Sequence, residues 1–241
     1  MTNPFATVEL APENMAKRLP AILLLDTSYS MDGDPIQALN EGLRVLEEEF
    51  DPATGDSLAL RSVEFSLITF GSNGVQLVDL MTGQGGANTN DAFVEAIDFR
   101  APVLSAGGGT PMGEAMQLAL QVLEERKVYY RQHGIPYFRP WIFLISDGEP
   151  TDSYASAVTA ARQAQSDGKT IVFSIGVLDA KMSILQEFSQ LPAIPLDGLK
   201  FRELFKFISS SVSQASSSDP DAKTVSLDIS EMKSFTQIPL D

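Results

Sequence analysis

The sequence contains no cysteine and a single histidine, His133. A disulfide framework, a thiol nucleophile and a cysteine-ligated zinc finger are therefore excluded. Cysteine usage also assigns no redox compartment. Basic residues are in deficit, with 17 Lys and Arg against 32 Asp and Glu, a formal net charge of −15. Such a field repels phosphate backbones and anionic lipid, so neither nucleic acid nor a membrane is an expected partner. It suits a cation site or a basic partner. Long apolar runs are missing as well. The longest early run, AILLL, falls far short of the roughly 18 residues of a membrane helix. The opening MTNPFATVELAPENMAKRLP carries no apolar signal-peptide core. A soluble, cytoplasmic protein is the resulting expectation.

Several catalytic motifs are absent too. There is no G-x-S-x-G, so His133 in RQHGIP reads as a surface-loop residue and not as the base of a Ser–His–Asp hydrolase. GGGTPMG lacks the G-K-[ST] ending of a phosphate-binding loop, and GQGGAN lacks the strand-to-helix setting of a dinucleotide fingerprint.

What is present is a globular composition, 44% hydrophobic and 20% charged, on a chain of 241 residues, long enough for one large domain or two small ones. AILLLDT (21–27), WIFLIS (141–146) and TIVFSIGV (170–177) are continuous apolar runs, as strands covered on both faces require. Between them lie helical patterns. Ile36, Leu39, Leu43, Leu46 and Phe50 form one face, with Asp34 as N-cap before Pro35. Met112, Met116, Ala119 and Leu123 form a second. A third segment, SYASAVTAARQAQSDG, closes on Gly168. MSILQEFS and FRELFKFISSSVSQ follow, with a short strand around AIPL between them. SVEFSLITF, GSNG and VQLVDLM read as a β-hairpin that adds an antiparallel strand at the sheet edge. Within 82–109, DAFVEAIDF fits either a short helix or a strand. The alternation predicts an α/β fold: a three-layer, doubly wound, mostly parallel sheet with one antiparallel edge strand and helices on both faces. The domain is expected to span residues 1–215. The polar remainder, 216–241, reads as a mobile tail, although Val225, Leu227 and Ile229 alternate as a short edge strand would.

In such a sheet the ligand site lies beyond the carboxyl ends of the strands, at the switch point. Three oxygen-rich segments fall there. DTSYS follows the first buried strand and offers Asp26, Ser28 and Ser30. GGGTP places Thr110 in a glycine-rich loop, and ISDG places Asp147 at the end of another buried strand. Five oxygen-bearing side chains from three loops suit a hard divalent cation, Mg²⁺ or Mn²⁺.

These segments resemble the von Willebrand factor A (vWA) domain with a metal-ion-dependent adhesion site, in order, spacing and strand context, over roughly residues 17–212. RLPAILLLDTSYSMDGDPIQALNEGL is most similar to the bacterial tellurium-resistance, TerY-like branch. The resemblance implies direct ligation by Ser28, Ser30 and Thr110, with Asp26 and Asp147 acting through water. It also implies an open position for a Glu or Asp from a protein partner, a stress-response setting, and kinase- or phosphatase-like partners. The cysteine-rich zinc module of some relatives is absent. Neutral hydroxyls leave most of the cation charge available to an incoming carboxylate.

Each residue also has a plainer role. Ser28 and Ser30 could satisfy backbone groups in a turn. Thr110 before Pro111 could serve as a helix N-cap, and Asp147–Gly148 is ordinary turn chemistry. Asp34 and Asp152 read as helix caps, and Tyr29 either lines the rim of the site or covers it. Taken together, the residues favour a non-catalytic, metal-dependent interaction module. The alternatives are a Mg²⁺-dependent phosphoryl-transfer enzyme with Asp26 as nucleophile, and a scaffold whose metal site has decayed. The first is weakened by Ser28, which stands where a second aspartate is wanted. The second is weakened because all five oxygen positions are filled.

Overall fold

The computed structural model describes residues 17–53, 57–71, 73–82, 84–85 and 92–217. The expected tail beyond Ser217 lies outside the described residues. The elements in chain order are β1 (Leu19–Thr27), α1 (Asp34–Glu49), α2 (Ser57–Ser62), β2 (Val63–Gly71), β3 (Gly74–Asp79), β4 (Gln84–Gly85) and β5 (Val94–Glu95). They continue with α3 (Met112–His133), β6 (Trp141–Ser146), α4 (Ala155–Ser166), β7 (Ile171–Gly176), α5 (Met182–Phe188), β8 (Ile194–Pro195) and α6 (Phe201–Ser216). Short 3-10 turns occupy Tyr29–Met31 and Ala96–Asp98.

The strands form one sheet in the order β4-β3-β2-β1-β6-β7-β8, with β5 paired to β2. β1, β2, β6, β7 and β8 run parallel, and β3 returns antiparallel to β2. β3 is the predicted antiparallel strand, with the two-residue β4 outside it. From β1 the chain crosses first to β2 on one side and later to β6 on the other. The switch point therefore lies between the carboxyl ends of β1 and β6.

β1 is buried along its whole length because it packs helices on both faces. Leu19, Ala21, Leu23 and Leu25 join α1 residues Leu39 and Leu43 and α6 residues Leu204, Phe205 and Ile208 in one core layer. Ile22 and Leu24 join Met112, Met116 and Ala119 of α3, with Ala157 and Ala161 of α4, in the other. This explains why the run is continuous where a one-sided strand would alternate. α1 and α6 pack so closely that a Cβ on Gly42 would lie 2.6 Å from Phe205 Cδ2. β1 and β2 also close tightly at their carboxyl ends, where a Cβ on Gly71 would come within 2.2 Å of the Thr27 carbonyl.

Two local expectations need correction. Gly33, with φ 82°, is the N-cap of α1, and Asp34 already lies inside the helix. Gly33 adopts the left-handed turn into the helix at no steric cost, whereas an aspartate there would be strained. His133 is the last residue of α3 and not part of a loop; its Nδ1 lies 2.8 Å from the Tyr129 carbonyl and its ring packs on Tyr129. The segment DAFVEAIDF, left open between helix and strand, forms the two-residue β5 and the 3-10 turn. Gly168 closes α4 as expected. With φ 70°, it donates to the Gln165 carbonyl while Lys169 N–H reaches Ala164, the double bond of a Schellman motif.

At the amino end of β2 lies a buried ionic cluster. Glu64, 3% exposed, accepts hydrogen bonds from Arg126 Nε at 2.8 Å and Nη2 at 2.6 Å, and from the Tyr130 hydroxyl. Arg18 Nε stands 3.7 Å away. This cluster anchors α3 to the sheet at the end opposite the switch point.

Candidate functional site

β1 delivers Asp26 at its penultimate position, and the following 3-10 turn carries Ser30 back over the strand end. Asp26 and Ser28 are each 1% exposed, whereas Ser30 is exposed. Ser28 N–H donates to Asp26 Oδ1 at 2.8 Å, a local turn of the kind Asp favours. The Ser28 and Ser30 hydroxyls lie 3.1 Å apart, and the Ser30 hydroxyl donates to Asp147 Oδ1 at 2.9 Å. Thr110, 6% exposed, brings its hydroxyl to the same place from another loop. A Cβ built on Gly148 would meet Thr110 Oγ1 at 3.3 Å and Asp26 Oδ2 at 3.7 Å. All five predicted oxygen positions, Asp26, Ser28, Ser30, Thr110 and Asp147, therefore gather around the switch point. Tyr29, between the serines, is 75% exposed.

Sequence reasoning missed two supporting residues. Ser146 is fully buried and donates its hydroxyl to Asp26 Oδ2 at 2.5 Å, while Gly148 N–H donates to Ser146 Oγ at 3.2 Å. The signal was present, since Ser146 is the last residue of a strand otherwise made of large apolar side chains. Thr151 accepts from Thr110 N–H at 2.9 Å and donates its own N–H to the Thr110 carbonyl at 2.9 Å. Thr110 is not itself a helix cap. Pro111 occupies that position of α3 and has no side-chain acceptor, so Asp152 supplies the cap from the neighbouring loop. Its two oxygens accept from Gly113 N–H at 3.1 Å and Glu114 N–H at 2.8 Å. Asp152 is thus a cap, as its sequence context indicated, but of a distant helix.

The electrostatics of the pocket are unfavourable to its own carboxylates. Burial pushes Asp26 from 3.8 up to about 6, against the lowering effect of the Ser146 and Ser28 hydrogen bonds; the nearby Asp147 pushes it further up. Asp147 is also raised, chiefly by burial. Among the described residues, no Lys or Arg forms an ion pair with either aspartate. A buried carboxylate without a cationic partner carries a large desolvation penalty. The donor set fits a hard divalent cation: two carboxylates and three hydroxyls, with no nitrogen or sulfur. Among the described residues no group of three or more His, Cys, Asp or Glu converges, so the hydroxyls are needed to complete any such set. Also among the described residues, no helix is long and apolar enough to cross a membrane.

Comparison with solved structures shows the same fold at low identity. The type V pili tip vWF domain of Porphyromonas gingivalis is 11% identical, with a TM-score of 0.54, covering 87% of this chain and 99% of that one. The pilus adhesin SpaC of Lactobacillus rhamnosus GG is 14% identical, with a TM-score of 0.57, covering 83% of this chain and 31% of that one. Proximal thread matrix protein 1 of the mussel byssus is 16% identical, with a TM-score of 0.52, covering 80% of this chain and 48% of that one. The chain thus spans about half of the mussel protein and less than a third of the adhesin. No curated protein matches the sequence. The family profile described as the von Willebrand factor type A domain matches residues 22–203, about three quarters of the chain and all of the parallel strands but the first three residues of β1. The chain belongs to the von Willebrand factor A domain family.

Proposed function

We propose that the protein is a non-catalytic interaction module that recognises an acidic group of a protein partner through a divalent cation held by Asp26, Ser28, Ser30, Thr110 and Asp147. The observation that carries this reading is the uncompensated carboxylate pair at the switch point. Two buried or half-buried aspartates, one raised to about 6, face three hydroxyl-bearing residues and have no cationic side chain beside them among the described residues. A bound Mg²⁺ or Mn²⁺ would supply the missing positive charge and a position open to a partner carboxylate. The two aspartates then hold charge and orient the hydroxyls, and Ser146 fixes the Asp26 carboxylate from behind.

The alternative of phosphoryl transfer from Asp26 is poorly supported. A nucleophile needs access, and Asp26 is 1% exposed, with one oxygen on Ser28 N–H and the other on Ser146. The tellurium-resistance-like stress-response setting, a cytoplasmic location and kinase- or phosphatase-like partners belong to the proposal through the resemblance of residues 18–43 to the TerY-like branch.

The test is binding of an isolated partner to the wild type and to Thr110→Ala, each with Mg²⁺ and with EDTA. A charge-assisted, partly desolvated contact is worth about 2–5 kcal/mol, so both the substitution and the chelator should weaken binding roughly 30-fold or more. Affinity indifferent to both would move the interface elsewhere on the domain.

A further inference from the structure

The loop between β6 and α4 begins with Asp147 and carries Thr151 and Asp152 in its second half, and both parts touch the Thr110 segment. At its start, Gly148 lies against the Thr110 hydroxyl and Asp26. At its end, Thr151 takes both backbone polar groups of Thr110 in a reciprocal pair of 2.9 Å hydrogen bonds. Asp152 takes the next two free amides, Gly113 and Glu114, in the first turn of α3. These are orphan donors of a helix whose N-cap is proline, so the carboxylate both satisfies them and faces the positive end of the helix dipole. The glycines flanking Thr110 match this contact. A Cβ on Gly109 would lie 2.9 Å from Thr151 Oγ1, and one on Gly113 would lie 2.7 Å from Tyr154 Cα and 2.9 Å from Asp152 Oδ2. Four hydrogen bonds and two steric constraints thus join the eight-residue loop 147–154 to the six-residue segment 109–114.

We infer that Thr151 and Asp152 are positioning residues: together they clamp the Thr110 segment against the β6–α4 loop, so that the Thr110 hydroxyl and the Asp147 carboxylate are held in register as parts of one cation site. The inference rests on the metal reading of that site, but the clamp itself is independent of it. Neither clamp residue offers a ligand. They act as the partners that orient ligands, whose loss typically lowers metal affinity about 10- to 100-fold. The same loop thereby carries one candidate donor and fixes another, so displacing it would disturb both.

The experiment titrates Mn²⁺ into the full chain by calorimetry for wild type, Thr151→Val, Thr151→Ser and Asp152→Ala. Thr151 is exposed, and its replacement by the near-isosteric valine removes the acceptor without a change in bulk. Thr151→Val and Asp152→Ala should each bind Mn²⁺ about 10- to 100-fold more weakly, and Thr151→Ser, which keeps the acceptor, should restore the affinity. A second readout is taken in EDTA, so that it does not depend on metal: the NMR resonance of the Thr110 γ-methyl. It should shift and broaden in Thr151→Val and return in Thr151→Ser. Unchanged Mn²⁺ affinity in Thr151→Val and Asp152→Ala would overturn the inference. If the wild type bound no Mn²⁺, the metal reading would fail, and the methyl resonance would still decide whether the clamp positions Thr110.

Discussion

Replacing Asp26 by asparagine should stabilise the metal-free protein at neutral and alkaline pH while removing its capacity for cation binding. The folded carboxyl is raised from 3.8 to about 6, first by burial and then by Asp147, so it holds its proton more tightly than in the unfolded chain. The contribution of Asp26 to stability is therefore greatest below about pH 4, falls as pH rises through about 6, and stays reduced above. A change from 3.8 to about 6 corresponds to about 3 kcal/mol against the charged form. Asparagine abolishes that penalty and keeps the shape. Its oxygen can still accept from Ser28 N–H, and its amide can donate to Ser146 Oγ in place of the bond that Ser146 now donates. Imperfect geometry offsets part of the gain, leaving about 1–3 kcal/mol. For a chain of this size that is a rise of roughly 2–12 °C in melting temperature. Thermal unfolding in EDTA, followed by circular dichroism at pH 8 and pH 4.5, is the assay. Asp26→Asn should melt higher than wild type at pH 8, and the gap should shrink at pH 4.5. Adding Mg²⁺ at pH 8 should raise the wild type alone, by ligand linkage. A variant less stable than wild type at pH 8, or a gap independent of pH, would refute the argument that an uncompensated buried charge sits at this strand end.

Other consequences follow from packing and charge. Gly113→Ala places a Cβ 2.7 Å from Tyr154 Cα, and overpacking of about 1–3 kcal/mol should outweigh the roughly 1 kcal/mol gain in helix propensity, so urea denaturation should show a net loss. Glu64→Gln leaves Arg126 without its buried carboxylate and should cost about 3–5 kcal/mol in the same assay. It should not alter Mn²⁺ affinity: Glu64 pairs with Pro20 while Asp26 pairs with Phe70, six residues or roughly 20 Å along the strands. Because the core layers lie between the sheet and its helices while the site sits at the strand ends, chelation should lower the melting temperature by only a few degrees, as calorimetry would show.

The sheet was legible because β1, β6 and β7 are covered on both faces, and that burial writes itself as unbroken apolar runs. The helices were legible where one face packs, as in Leu204, Phe205 and Ile208 of α6. What stayed hidden depends on neighbours distant in sequence. Propensity points to Asp34 as the N-cap of α1, but the chain turns at Gly33. The cap of α3 comes from Asp152, 39 and 38 residues from the amides it holds, a pairing no local pattern encodes. DAFVEAIDF was ambiguous because β5 pairs only two residues with β2 and then turns. At the candidate site, all five oxygen positions could be read from three motifs. Ser146 stands out in the sequence only as the polar end of an apolar strand; its partner depends on β6 lying beside β1, which brings its hydroxyl to Asp26.

The central claim is that the five oxygens at the switch point hold a divalent cation, and calorimetric titration of Mn²⁺ into wild type, Asp26→Ala and Ser28→Ala tests it most directly. The account predicts one site per chain in the wild type and a loss of at least tenfold in affinity in each variant, with all three chains folded at the same temperature. Undiminished binding in both variants, or no binding to the wild type, would contradict it.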